Sequence, residues 1–125
     1  MKNTLMWVCK IFLVLTGLML LYAGFMWSFL PADNLATNSI AVDSVLGMNM
    51  IKTDIGAPLL VGGTFLLLFA FKGNQWFWPM FILGGAYFFI RTISFFVDGS
   101  DPMIIFGIGL EGAVLVALYG LYKLR

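Results

Sequence analysis

The chain has no histidine and a single cysteine, Cys9, among its 125 residues. Nucleophilic triads that need an imidazole base are therefore excluded, as are the His/Cys sets that hold transition metals. One cysteine also rules out a disulfide-built scaffold. Charge is nearly as scarce: 7 Lys/Arg and 6 Asp/Glu make 10% of the chain, against about 25% in a soluble domain. A net charge of +1 leaves no basic surface for nucleic acid, and a chain so apolar is not a disordered tail. Hydrophobic residues supply 62% and aromatics 17%, with 13 Phe and 8 Met, and mean hydropathy is +1.00. So little polar surface cannot cover the chain in water. The composition predicts an integral membrane protein whose first partner is the lipid bilayer.

A helix crosses a hydrocarbon core of about 30 Å with roughly 20 apolar residues. Four segments qualify, and helices are predicted over about residues 5–30, 51–71, 76–97 and 103–122. The uncharged run Ile11 to Leu30 exceeds the roughly 7–15 residues of a secretory h-region and lacks a small-x-small cleavage site, so a retained span is expected. Pro31, Lys72-Gly73-Asn74 and Asp98-Gly99-Ser100-Asp101-Pro102 punctuate the runs with turn formers. Two short connections make the second and third spans, and the third and fourth, antiparallel neighbours. Residues 31–50 read as the one long loop, in which Ile40, Val42, Val45, Leu46 and Met48 suggest a short helix lying in the interface. The expected fold is all-α: a four-helix membrane bundle forming a single domain over residues 1–125.

Charge sets the orientation. Lys2, Lys10, Lys72, Lys123 and Arg125 fall at the ends that share a side with the N-terminus, while Asp33, Asp43, Asp98 and Asp101 lie in the two loops opposite. The positive-inside rule then puts both termini in the cytoplasm, in a bacterial inner membrane. Trp7, Trp76 and Trp78 at one boundary and Trp27 near the other match aromatic belts. Lys10 is expected to snorkel to the headgroups.

Lys52, Asp54, Arg91 and Glu111 have no place in that scheme. Helix rise puts Arg91 about 10 Å and Glu111 about 13 Å from the outer ends of the third and fourth spans, and Lys52 and Asp54 open the second span on the same side. A charge at such depth costs roughly 2.5–3.5 kcal/mol on insertion scales, so these groups are expected to face inward and pair. The tight loop between their helices makes Arg91 and Glu111 natural partners. Tyr87 and Ser94, at i−4 and i+3, share the Arg91 face, and Asp54 suits the positive end of its helix. Two readings follow. The four charges either pin the second, third and fourth helices together, or line a polar pocket open to the outer side with Tyr87, where an arginine suits a phosphate or carboxylate.

Gly107-Ile108-Gly109-Leu110-Glu111-Gly112 fits the G-x-G-x-x-G spacing, but it lies in a span rather than after a strand, so helix packing is the reading. Gly17 and Gly24, Gly62-Gly63-Thr64 and Gly84-Gly85-Ala86 read the same way. Pro58 is expected to kink its helix or end a distorted first turn. Asp98 and Asp101 have no EF-hand spacing and read as a solvated turn. No metal and no cofactor is expected.

From Asn49 to the C-terminus the chain resembles a bacterial family of small four-helix membrane proteins known as domain of unknown function 4345. Lys52 and Gly56, Arg91, the loop Asp98-Gly99-x-x-Pro102, and Glu111 carry the resemblance; Lys52 stands where the family pattern has arginine. The resemblance implies that the charge set matters, and it brings no activity with it. Function is therefore expected along one of two lines. The first is a non-catalytic accessory or structural subunit of a membrane complex or homo-oligomer, favoured by small size and many glycine faces. The alternative is binding or transport of a lipid or other amphipathic ligand through the Arg91–Glu111 pocket. An enzyme using Glu111 and Tyr87 as acid and base would lack a nucleophile and is the least favoured.

Overall fold

A computed structural model describes all residues from Met1 to Arg125. The chain is helical throughout, with α1 (Lys2–Phe29), α2 (Pro31–Thr37), α3 (Val45–Ile51), a π-helical turn (Lys52–Gly56), α4 (Ala57–Lys72), a 3-10 turn (Asn74–Trp76), α5 (Phe77–Asp98) and α6 (Pro102–Leu124). Four stretches are long and apolar enough to cross a membrane: Lys2–Phe29, Val45–Lys72, Asn74–Asp98 and Pro102–Leu124. The accessible surface is 8019 Å² and only 18 of 125 residues are buried, whereas a soluble protein of this mass exposes roughly 6,700 Å².

The helix limits follow local chemistry. Gly73 and Gly99 hold φ of +115° and +112°, the region that a residue with a Cβ avoids; each ends a long helix. Asp101 Oδ1 accepts from the Met103 N–H at 2.8 Å and caps α6, whose first residue, Pro102, has no N–H to satisfy.

α1 and α4 form the most extensive contact in the bundle, and small residues set its distance. Gly17 and Gly24 on α1 and Gly56 and Gly63 across from it are each seven residues apart, about two helical turns. A Cβ added to Gly63 would lie 2.7 Å from the Gly17 carbonyl oxygen, and one added to Gly24 2.7 Å from the Leu60 nitrogen. α6 packs against both α1 and α5, while α5 touches α4 far less. The buried cluster of Leu13, Leu66, Phe69, Phe77, Met80, Val114, Ala117, Leu118 and Leu121 fills the half of the bundle nearest the termini. There the Phe77 ring stacks on Tyr122 at 4.3 Å. No residue of α5 beyond Met80 is buried, so α5 stands away from α4 in the opposite half.

Two sequence expectations are corrected. Residues 31–50 are not one long loop: α2 occupies Pro31–Thr37, and the second long helix starts at Val45 rather than Ile51. Ser44 Oγ caps it, accepting from the Gly47 N–H at 3.0 Å, so Val45, Leu46 and Met48 open that helix instead of forming an isolated one, while Ile40 and Val42 are non-helical. The second correction concerns Lys52 and Asp54. Pro58 lacks an N–H and its ring would clash with the carbonyl four residues back, at Asp54. The chain answers with the π turn, in which the Ala57 N–H bonds Lys52 five residues back. One residue is absorbed, and whatever precedes the turn is rotated by about 100° relative to α4. The distortion expected at Pro58 is therefore a π turn inside the long helix rather than its first turn, and neither Lys52 nor Asp54 pairs with Arg91 or Glu111.

Candidate functional site

In the half of the bundle away from the termini, the gap between α5 and α4 becomes a cavity of about 300 Å³ bordered by α1, α4, α5 and α6. Its wall is mainly apolar, with Pro58 and Leu59 on one side and Leu83, Leu110 and Val114 on the other. Four polar side chains interrupt it: Thr16, Tyr87, Arg91 and Glu111. Thr16 is satisfied locally, its hydroxyl donating to the Phe12 carbonyl at 2.9 Å.

Arg91 on α5 and Glu111 on α6 form the only ion pair in the chain, Nε donating to Oε1 at 2.9 Å. Glycine makes the approach possible: a Cβ on Gly107 would lie 3.0 Å from both Cδ and Nε of Arg91. The arginine therefore lies across the bare turn of α6 that precedes Glu111. Gly112 is filled by a ring instead, with Phe88 at 3.3 Å. The Gly107–Gly112 motif thus seats side chains of α5, whereas Gly109 meets nothing within 4 Å.

The pair is engaged at one point only. Glu111 Oε2 is buried and has no hydrogen-bond partner, although a buried acceptor left unpaired costs on the order of 1–3 kcal/mol, and more when charged. Both Nη nitrogens of Arg91 also lack a protein partner, and its side chain keeps 40% of its exposure against 20% for Glu111. Tyr87 borders the same cavity one turn before Arg91, at 38% exposure. The site therefore presents a donor fork and a phenol on an apolar wall, with Glu111 Oε2 sealed inside the protein.

Of the five residues singled out from sequence, the fold brings Arg91, Glu111 and Tyr87 together and leaves Lys52 and Asp54 apart. Lys52 forms no ion pair and does not border this cavity. Asp54 is exposed and borders a second, more open cavity of about 350 Å³ with Asp43, Ser44 and Ile40; its Oδ1 accepts from Thr53 Oγ1 at 3.4 Å. No three His, Cys, Asp or Glu side chains converge anywhere as a metal set. The four charges therefore do not make a single compensated network.

Arg125 carries a role that sequence reasoning missed. Its Nη1 donates to the Phe69 carbonyl at 2.8 Å and its Nη2 to the Ala70 carbonyl at 3.0 Å, with the Phe69 ring 5.0 Å from the guanidinium. These carbonyls belong to the last turn of α4, where no intrahelical donor remains. Asn74 Nδ2 donates in return to the Tyr122 carbonyl at 3.3 Å. Partial burial lowers the pKa of Arg125 from its ordinary value. The available signal was the position itself, a fork-shaped cation one step past the last helix.

No family model, curated protein or solved structure matches the chain.

Proposed function

We propose that this chain is a four-span protein of a bacterial inner membrane that holds the polar head of an amphipathic ligand at Arg91 and Glu111. The observation that carries the reading is the Arg91 guanidinium, bonded to Glu111 through Nε alone and partly exposed, on the wall of a mainly apolar cavity of about 300 Å³. Ligand sites combine an apolar wall with a few placed polar groups, and the free Nη nitrogens of a guanidinium supply donors for a ligand's oxygens. Membrane insertion is supported by exposed apolar side chains such as Leu15, Ile82, Phe89 and Val116, and by a surface larger than a soluble protein of this mass would expose. Both termini lie in the cytoplasm: Lys2, Lys10, Lys72, Lys123 and Arg125 sit at one end, and Asp33, Asp43, Asp98 and Asp101 at the other. The cavity then belongs to the outer half of the membrane. Kinship with the domain of unknown function 4345 family is part of this reading, since Arg91 and Glu111 are two of the residues that carry the resemblance.

Native mass spectrometry of the full chain after gentle extraction tests the site. One amphiphile per chain is expected on the wild type and none on Glu111→Gln; a bare wild-type chain would overturn the reading. For topology, a cysteine placed at Ser100 in a Cys9→Ser background should react with an impermeant maleimide outside intact cells, and one at Asn74 should not. The accessory-subunit reading is favoured by Gly85 and Gly109, which have open space beside them, as helix-docking surfaces in membranes do. The same spectra separate it, as a defined oligomer or heteromer in place of a ligand-bearing monomer.

A further inference from the structure

We infer that the head held at the Arg91 cavity is an uncharged hydrogen-bond acceptor, a carbonyl oxygen carried on an apolar tail as in a quinone or an acyl ester. The inference rests on the ligand-binding reading above and adds the chemistry of the ligand. What the wall offers is one-sided. The guanidinium gives Nε to Glu111 Oε1 at 2.9 Å, and neither Nη has a protein partner. The buried side-chain nitrogens without a partner are Asn34 Nδ2 and Trp76 Nε1. Neither Nη of Arg91 is sealed, therefore, and its side chain keeps 40% of its exposure. The carboxylate is closed on both oxygens, Oε1 by Arg91 and Oε2 by burial. Thr16 donates to its own helix at Phe12, and Tyr87 adds one hydroxyl that donates as readily as it accepts. The open polar groups are thus donors first, and acceptor oxygens on the ligand are what meets them.

Charge and depth then separate a carbonyl from an oxyanion. Arg91 and Glu111 are the only charged side chains on the cavity wall, and they cancel. A phosphate or carboxylate would leave one charge uncompensated among apolar side chains, which is costly, whereas a carbonyl adds none. Depth points the same way. α5 has 22 residues and ends at Asp98, about 33 Å of helix, and Arg91 lies about 10 Å before that outer end. A hydrocarbon core of about 30 Å covers that level, so a lipid phosphate would have to sink into hydrocarbon to reach the guanidinium. An uncharged head makes the same descent with far less solvation to lose. Its tail has a way out: Met19, Met103 and Phe106 border the cavity and are exposed, which gives an apolar path from the head into the surrounding lipid.

The test uses the detergent-purified full chain, delipidated and offered a decyl-substituted benzoquinone, methyl oleate, oleate or dioleoyl phosphatidate in separate arms. Bound probe per chain is counted after gel filtration. Methyl oleate and oleate share a chain and differ in the charge of the head. Retention of the quinone or the ester at least tenfold above both anions supports the inference, and the better held of the two names the source as a ring or an acyl ester. A smaller preference, or a preference for either anion, overturns it. Arg91→Lys keeps the charge and loses the two free Nη donors, so retention of the better probe is expected to fall at least tenfold while circular dichroism matches the wild type. Unchanged retention by that variant also overturns this head chemistry. If an anion is held instead and Glu111→Gln releases it, the cavity reading survives that failure; if none of the probes is held, both fall.

Discussion

Gly62 and Gly63 are neighbours on α4 with opposite surroundings, and alanine at each should have opposite effects. A Cβ on Gly63 would meet the Gly17 carbonyl oxygen at 2.7 Å, Leu21 Cγ at 2.8 Å and the Leu21 nitrogen at 2.9 Å. Two of these are backbone atoms of α1 and cannot rotate away, so α1 and α4 must separate. Around Gly62 the nearest atoms are Leu83 Cδ2 at 3.5 Å and Leu20 Cδ1 at 3.8 Å, ordinary contact distances for the ends of mobile side chains.

Each substitution gains about 1 kcal/mol of helix propensity, and that gain cancels when the two variants are compared. What remains is the overpacking at Gly63, typically about 1–3 kcal/mol. Gly63→Ala should therefore unfold about 1–3 kcal/mol more easily than Gly62→Ala, with Gly62→Ala at or slightly above the wild type. Tryptophan fluorescence during unfolding in mixed micelles with rising SDS reads the difference. Equal midpoints for the two variants would refute the claim that backbone contact across Gly17 and Gly63 sets the α1–α4 distance.

Removing one partner of the ion pair should destabilise. Arg91→Leu and Glu111→Gln are each expected to cost about 2–3 kcal/mol, below the roughly 3–5 kcal/mol of a fully buried pair because Arg91 is part-exposed. The double variant should recover part of that loss, and strict additivity in the same unfolding assay would mean the two groups do not interact. Gly107→Val should push Arg91 off its bed and lower ligand retention several-fold, with unfolding shifted by no more than about 1 kcal/mol; wild-type retention would count against that bed. Arg125→Ala should free the Phe69 and Ala70 carbonyls and speed amide exchange in the last turn of α4, at a cost of about 1–2 kcal/mol, with unchanged exchange there as the contrary result.

The number and rough limits of the four long apolar helices were legible because they rest on length and hydropathy alone. The Arg91–Glu111 pair was legible for a similar reason: rise per residue and a short α5–α6 connection fix both depths. Other features depend on choices that single residues leave open. Pro31 reads as a breaker, yet it also fits the first position of a helix, and with Asp33 in its first turn α2 uses it that way. Arg125 was counted with the topology charges, because nothing local says that a terminal guanidinium will fold back on α4. Gly107 was read as a place for a neighbouring helix and receives the Arg91 side chain instead, a distinction that glycine spacing alone does not draw.

The π turn connects the failed part of the charge reading to the site itself. Along an unbroken α-helix Lys52 lies seven residues before Leu59, almost two full turns, and would share its face. Leu59 borders the cavity, and so does Pro58, four residues after Asp54, so a regular helix would turn both Lys52 and Asp54 toward that wall. Pro58 forces the extra residue, and the rotation of about 100° keeps Lys52 off the cavity wall. A proline placed four residues after an aspartate thereby leaves one cation facing one anion. That Arg91 and Glu111 stand alone as the charged groups of the wall follows from a backbone irregularity as much as from the two side chains that make the pair.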